Sequence, residues 1–207
     1  MANVIFDFDG TLADTFPLIV DVSYRLSPGS KRLPKKEIAG LRRLPLLTAM
    51  RSLGISRWYL PLLVIFVRRR LRPRMKEVKP YDGVLPALRE LHKSGHRLFI
   101  LTSNYKENAQ AFLKHHKAED LFEGIEAVHF ASVFTKARVL KKLIKKHSWR
   151  PEDCYYVGNE ALDTRSAERV GMRAVATAWG GFNQHELRKT EPYALIKCPS
   201  ELVDLLQ

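Results

Sequence analysis

The first apolar run of the chain ends in two closely spaced carboxylates, Asp7 and Asp9. They stand two positions apart in Asp7-Phe8-Asp9-Gly10-Thr11, so both side chains project to the same side of an extended chain. Neighbouring carboxylates repel each other unless a cation lies between them. Their oxygens are hard ligands, and the absence of nearby His or Cys favours Mg²⁺. The sequence therefore predicts a magnesium site that contains Asp7 and Asp9.

Three further groups of polar residues stand near the ends of later apolar runs. They are Thr102, Ser103 and Asn104 after the second run, Lys136 before a basic helical pattern, and Asn159, Glu160 and Asp163 after the fourth run. A hydroxyl group with adjacent backbone amides, together with a lysine, can hold phosphate oxygens. Acidic and amide oxygens can complete a metal shell. These groups predict a phosphate-binding site beside the metal.

Short, nearly continuous apolar runs are typical of parallel strands that are buried on both faces. The predicted strands are Val4–Phe8, Arg97–Leu101, Ala127–Phe130, Tyr155–Val157 and Ala174–Thr177. Helical patterns separate them, and this alternation predicts an open α/β fold with a parallel sheet and right-handed crossovers. Functional residues in such sheets lie beyond the carboxyl ends of the strands, where the polar groups stand.

Residues 15 to 79 interrupt this alternation. Thr15 to Leu26 has the pattern of an amphipathic helix, and the Arg- and Leu-rich pieces that follow are broken by prolines. We interpret residues 15–79, called the helical segment below, as a small α-helical domain inserted into an α/β core of residues 1–14 and 80–207. Its aromatic residues Trp58, Tyr59 and Phe66 are expected to pack inside it; a membrane or substrate contact is the alternative.

Composition excludes several classes of protein. The chain has 207 residues, of which 45% are hydrophobic and 28% are charged, and this is not the composition of a disordered tail or a disulfide-stapled miniprotein. The longest apolar run, Trp58–Val67, has ten residues, against about 20 needed to cross a bilayer. Asp7 and Asp9 interrupt the first apolar run, so no signal peptide is expected. We expect a cytoplasmic location.

The positive charge of the chain is concentrated in the helical segment. The formal net charge is +13, and residues 31–79 hold 15 basic residues but only two acidic ones, Glu37 and Glu77. The remainder of the chain is therefore neutral. Three interpretations stay open: contact with nucleic acid or a membrane surface, steering of a small anionic substrate, and a set of solvated helical faces.

Taken together, the motifs resemble those of the haloacid dehalogenase superfamily, and in particular its phosphoglycolate-phosphatase-like group. The resemblance rests on Asp7-Phe8-Asp9-Gly10-Thr11, on Thr102, on Lys136 and on Gly158 to Asp163, which follow one another in the family's order. It implies a Rossmann-like parallel sheet with a small helical cap inserted after the first motif. The core residues 1–14 and 80–207 carry the resemblance, and the helical segment matches only in position and helical character.

The resemblance also implies roles for the motif residues. Asp7 would be the nucleophile that forms an aspartyl-phosphate, and Asp9 would protonate the leaving oxygen and then activate water. The backbone carbonyl of Asp9 would also ligate Mg²⁺, together with Asp7. Thr102 and Ser103 would bind phosphoryl oxygens, and Lys136 would neutralise charge. The implied activity is Mg²⁺-dependent hydrolysis of a small phosphorylated metabolite. The acid at Asp9 favours a phosphatase over a dehalogenase, because a halide leaves without a proton.

Asn159 departs from the family's pattern, which has an aspartate at this metal-ligand position. An amide oxygen still ligates Mg²⁺, but one negative charge is lost from the site. Glu160 and Asp163 are the candidates to compensate, directly or by holding metal-bound water. The alternative interpretation is a binding protein of this fold with weakened catalysis, which docks anionic partners through the basic helical segment.

Overall fold

The computed structural model describes residues 1–26, 33–44, 46–55, 58, 60–128, 132–181 and 184–207. These residues contain one sheet of six parallel strands in the order β3-β2-β1-β4-β5-β6. The strands are β1 (Asn3–Phe6), β2 (Arg97–Thr102), β3 (Gly124–Ala127), β4 (Cys154–Gly158), β5 (Arg173–Thr177) and β6 (Ala194–Ile196). The parallel α/β sheet predicted from the apolar runs is confirmed.

The two outer regions of the sheet differ from the prediction. The third strand was placed at Ala127–Phe130, but the structure has it at Gly124–Ala127, and positions 129 and 130 lie outside the described residues. This edge strand is partly exposed along its length, so a search for buried apolar runs locates it wrongly. The sixth strand, Ala194–Ile196, has only three residues and carried no such signal.

Helices connect the strands. They are α1 (Phe16–Leu26), α2 (Lys35–Leu41), α3 (Leu46–Ser52), α4 (Leu60–Leu71), α5 (Val84–Lys93), α6 (Lys106–His115), α7 (Val133–His147), α8 (Ala161–Glu168), α9 (Gln184–Arg188) and α10 (Ser200–Leu206). The prediction set Lys136 before the basic helix, but Lys136 lies in the first part of α7. That helix begins earlier than its lysines suggest, because Ser132 caps it by accepting a hydrogen bond from the Thr135 amide.

The central strands bring the candidate residues together. β1 pairs with β2 on one side and with β4 on the other, so Phe6 stands beside Ile100 and Val157. The pairing continues one residue further, where the Asp7 amide donates to the Val157 carbonyl at 2.8 Å. The chain segments that follow β1, β2 and β4 therefore meet at one edge of the sheet, although they are far apart in sequence.

The described part of the helical segment contains α1 to α4 and a 3₁₀ turn at Arg72–Glu77. One face of α4 is buried through Leu63, Val67 and Leu71, and these residues belong to the same hydrophobic cluster as β1. The opposite face is exposed: Phe66 is 39% exposed, and nearby Trp58 is 80% exposed. The predicted interior packing of these two aromatic residues is therefore wrong, and Tyr59 lies outside the described residues. No helix in the described ranges is long and apolar enough to cross a membrane.

Candidate active site

A buried lysine joins two carboxylates at the carboxyl edge of the sheet. The ammonium nitrogen of Lys136 lies 2.9 Å from Asp7 Oδ1 and 2.7 Å from Asp163 Oδ1, and all three side chains are almost completely buried. The Tyr156 hydroxyl also donates to Asp163 Oδ1, at 3.2 Å. Asp163 therefore holds the ammonium group of Lys136 in place, and this group lies beside the Asp7 carboxylate.

The charges in this cluster shift each other's ionisation. Burial raises the pKa of Asp7 to about 8, and the neighbouring Lys136 charge opposes that rise. Burial alone would lower the pKa of Lys136, but the charges of Asp163 and Asp7 raise it well above its ordinary value. Lys136 is therefore a permanent cation. Further positive charge beside Asp7 would favour its ionised form, which is the form able to act as a nucleophile.

Asp9 projects into the same region as Asp7, as their spacing predicted. Its Oδ1 accepts a hydrogen bond from Asn104 Nδ2 at 3.1 Å. Burial raises the pKa of Asp9, while hydrogen bonds from Thr15 and Asn104 lower it. A carboxyl group with a raised pKa that stays hydrogen-bonded in its ionised form is suited both to donate and to accept a proton.

The two residues predicted to bind phosphate occupy different positions. Ser103 lines the cavity that also contains Asp7 and Asp9. Thr102 is fully buried at the end of β2, and its hydroxyl oxygen accepts a hydrogen bond from the Asn104 amide at 2.9 Å. The Thr102 side chain thus holds the loop that follows β2 through a hydrogen bond, and Thr102 itself does not line the cavity.

Asn159 follows β4 and contacts the loop that follows Asp9. Its Oδ1 accepts a hydrogen bond from the Thr11 hydroxyl at 3.2 Å. A Cβ at Gly10, where φ is +83°, would lie 2.4 Å from Asn159 Nδ2, so only glycine allows this approach. The amide is 7% exposed and lines the same cavity as Asp7 and Asp9.

The two acidic residues near Asn159 have different surroundings. Glu160 lines the cavity, and burial together with the Asp163 charge raises its pKa to about 7. Asp163 does not line that cavity; besides Lys136, it accepts a hydrogen bond from the Glu160 amide at 3.1 Å through Oδ2. Gly158 leaves room for this contact, because a Cβ there would lie 2.4 Å from Asp163 Oδ2.

The resulting cavity has a volume of about 90 Å³ and an oxygen-rich base. Its wall includes residues that the sequence analysis did not single out, among them Arg42 of the helical segment. The Arg42 guanidinium binds Asp14 through two hydrogen bonds of 2.8 and 2.9 Å, and Tyr81 donates to the same carboxylate at 3.4 Å. A run of basic residues gives no signal that separates Arg42 from its neighbours, so only the fold identifies it.

The oxygen donors of Asp7, Asp9 and Asn159 fit Mg²⁺, but they carry less negative charge than three carboxylates would. Among the described residues, no group of three or more His, Cys, Asp or Glu side chains is placed to hold a metal. Asp7, Asp9 and Asn159, whose side chains and backbone carry hard oxygen donors, do line one cavity. Mg²⁺ in proteins is commonly held by one or two carboxylates and several waters, and this set of hard oxygen donors fits that pattern.

Comparisons with known proteins identify the family of the chain. Residues 4–177 match the family of haloacid dehalogenase-like hydrolases. A phosphoglycolate phosphatase of Synechococcus elongatus is 33% identical over 98% of this chain and 96% of its own length. The pyrophosphatase PpaX of Halalkalibacterium halodurans is 23% identical over 99% and 96%.

The comparison with solved structures shows a shared fold. A haloacid dehalogenase-like hydrolase of Streptococcus pneumoniae superposes with a TM-score of 0.83 at 23% identity, over 100% of this chain and 99% of that one. The similarity extends through the helical segment as well as the sheet. The chain belongs to the haloacid dehalogenase-like hydrolases.

Proposed function

We propose that this hydrolase is a phosphatase that cleaves a small phosphate monoester through an aspartyl-phosphate on Asp7. The observation that carries the proposal is the contact between the buried Lys136 ammonium and the Asp7 carboxylate, at 2.9 Å, beside a cavity that Asp9 also lines. The carboxylate after β1 supplies the nucleophile, and the buried ammonium group beside it supplies positive charge for the transferring phosphoryl group.

In the proposed reaction, an oxygen of Asp7 attacks phosphorus, and the bond from phosphorus to the leaving oxygen breaks. Asp9 gives its proton to that leaving oxygen. Asp9 then takes a proton from water, which attacks the phosphorus of the aspartyl-phosphate and frees Asp7 with inorganic phosphate. Lys136 and the Ser103 amide bind phosphoryl oxygens, and Thr102 holds the loop that presents that amide.

We propose that Asp7, Asp9 and Asn159 hold Mg²⁺ and that Glu160 orients metal-bound water. The ion would supply positive charge against the phosphoryl oxygens and lower the pKa of Asp7. Asp163 contributes through Lys136: it contacts that ammonium group, the Tyr156 hydroxyl and the Glu160 backbone amide, and it does not line the cavity.

We propose further that the helical segment acts as a cap domain with the boundaries given above. Arg42, which directly follows α2, brings a positive charge to the cavity wall, where it is held by Asp14. The cavity is smaller than the roughly 300 to 1,000 Å³ of sites for drug-sized ligands, which favours a small leaving group. The names of the relatives, phosphoglycolate phosphatase and pyrophosphatase, point to compact anionic substrates of this kind.

Turnover of p-nitrophenyl phosphate and acetyl phosphate in Mg²⁺ tests this function. The wild type should hydrolyse both, and folded Asp7→Asn should hydrolyse neither, because an amide is a poor nucleophile. Asp204→Asn is the control: it removes an exposed carboxylate of α10 that does not line the cavity, so it should keep turnover. A wild type without turnover would favour the binding protein with weakened catalysis.

A further inference from the structure

Two buried asparagines connect the Asp9 carboxylate to the helical segment. The first is Asn104, whose Nδ2 donates to Asp9 Oδ1 at 3.1 Å. Asn104 Oδ1 accepts a hydrogen bond from the Tyr105 backbone amide at 2.8 Å. A backbone amide can only donate, so this contact fixes which end of the Asn104 side chain carries oxygen. The group that faces Asp9 is therefore the donor.

The second asparagine is Asn108, which lies one helical turn further along α6. Its Nδ2 donates to Asn104 Oδ1 at 2.7 Å and to the backbone carbonyl of Arg68 at 2.8 Å. The carbonyl can only accept, so the orientation of the Asn108 amide is fixed as well. Arg68 belongs to α4, so a continuous chain of hydrogen bonds runs from the backbone of the helical segment to Asp9.

Packing in the hydrophobic core does not by itself explain an asparagine at position 108. It is 0% exposed, and its Oδ1 has no hydrogen-bond partner among the described residues. A buried acceptor without a partner destabilises a protein, and leucine would fill a similar space without that cost. The contribution of asparagine at position 108 is therefore the two hydrogen bonds that its Nδ2 donates.

We propose that Asn104 and Asn108 are positioning residues that hold the Asp9 carboxylate towards the leaving oxygen and make this hold depend on the place of α4. The inference rests on the proposed function, in which Asp9 is the acid. When the Arg68 carbonyl moves away, Asn108 loses one of its two acceptors and no longer fixes the Asn104 amide. Asp9 is then free to leave the orientation in which it protonates the leaving group.

The test compares two substrates of similar shape, p-nitrophenyl phosphate and phenyl phosphate. The first releases a group that departs without a proton, and the second releases a more basic oxygen that needs one. Asn104→Ala and Asn108→Leu should each lower kcat/KM, which reports only the steps up to release of the phenol, about ten-fold more for phenyl phosphate than for p-nitrophenyl phosphate, because general acid catalysis contributes roughly 10² to 10⁴ to rates. Gln110→Leu, at an exposed position of the same helix, should change neither value. Equal losses on both substrates would overturn the proposal.

A second readout does not depend on turnover. The side-chain amide protons of Asn104, observed by NMR, should exchange slowly with water in the wild type and faster in Asn108→Leu, with an unchanged Tm showing that the fold is intact. Unchanged exchange in Asn108→Leu would overturn the positioning role. If the wild type hydrolyses neither phosphate, the proposed function fails, and the exchange measurement alone decides whether the asparagine chain holds.

Discussion

The Lys136 ammonium lies 2.9 Å from the Asp7 carboxylate, across 129 positions of sequence, and both side chains are almost completely buried. This contact joins the end of β1 to the first part of α7. Asp163 completes the arrangement on the other side of the lysine, at 2.7 Å. Three buried charges thus stabilise one another only as a set, which makes each of them a sensitive point for both stability and chemistry.

Lys136→Met removes the positive charge and leaves two carboxylates facing each other. We expect unfolding free energy to fall by about 3 to 5 kcal/mol, the range for breaking a buried ion pair. Turnover should fall by about 10² to 10³, as for the loss of one electrostatic donor. Urea denaturation and kcat measure the two effects.

The matched control for that variant is Lys141→Met, on the exposed side of the same helix. It should change unfolding free energy by less than about 0.5 kcal/mol and leave kcat unaltered. Wild-type turnover in a folded Lys136→Met protein would contradict the role given to this lysine.

Asn159→Asp tests the metal site through its charge. A carboxylate in place of the amide should tighten Mg²⁺ by about 1 to 3 kcal/mol, the scale of a single charged contact after desolvation. Without metal the same variant should have a lower Tm, because the added charge is close to Asp7 and Asp9 in one cavity. Calorimetry and thermal unfolding with and without Mg²⁺ measure both changes.

Glu160→Gln is the partner experiment for Asn159→Asp. If Glu160 compensates for the missing charge, the Glu160→Gln substitution should weaken Mg²⁺ binding much more in the wild type than in the Asn159→Asp background. Equal Mg²⁺ affinity of wild type and Asn159→Asp would show that residue 159 is not a ligand.

Gly158→Ala should disturb the site through packing alone. The new Cβ would lie 2.5 Å from Asp163 Cβ, so Asp163 has to move away from Lys136. We expect a loss of about 1 to 3 kcal/mol in unfolding free energy, as for overpacked core positions, together with reduced kcat. Gly40→Ala is the control, because a Cβ there meets nothing within 4 Å in helix α2. Wild-type stability of Gly158→Ala would contradict the described position of Asp163.

His96 makes stability depend on pH. Its Nδ1 accepts a hydrogen bond from the Ala2 amide at 3.2 Å, and burial lowers the pKa of His96 below its ordinary 6.5. The unfolded chain therefore binds more protons than the folded protein below about pH 6.5, so stability should fall as pH decreases through that value. His96→Asn, which keeps an acceptor, should lose less unfolding free energy between pH 7 and 5 than the wild type.

The control for this measurement is His92→Asn, at an exposed position of α5. It should show the wild-type pH dependence. Parallel pH profiles of His96→Asn and the wild type would mean that His96 is not held neutral by the fold.

The charge of the helical segment should affect association with an anionic substrate. Arg69 and Arg70 are exposed on α4, whereas Arg68 is half-buried and shares a cavity with Asp9, so only the first two are suitable variants. In Arg69→Gln/Arg70→Gln, kcat/KM should decline less with ionic strength than in the wild type, because steering is screened over a Debye length of about 10 Å at 0.1 M salt. The same dependence of kcat/KM on ionic strength in the variant and the wild type would mean that these arginines do not steer the substrate and are only solvated.

The central sheet and the meeting of Asp7, Asp9 and Asn159 could be predicted because they follow local rules. Buried parallel strands are apolar runs, and their carboxyl ends converge. An edge strand is only partly buried, so its apolar pattern is weaker. For this reason the prediction gave the third strand as Ala127–Phe130, whereas the structure has it at Gly124–Ala127.

The position of Asn104 after a strand could be predicted, but the link through Asn108 could not. Asn108 matters through its contact with the Arg68 carbonyl, and a backbone acceptor leaves no trace in residue types. The exposure of Phe66 could not be predicted, because burial of an aromatic residue depends on which face of α4 the rest of the fold covers.

Trapping the covalent intermediate tests the central claim most directly. The wild type would be mixed with acetyl phosphate and Mg²⁺, quenched during turnover, and reduced with borohydride, which converts an aspartyl-phosphate to homoserine. Peptide mass spectrometry should then find homoserine at position 7, and none when phosphate donor is omitted. Turnover without modification at Asp7, or with modification at another carboxylate, would contradict the account.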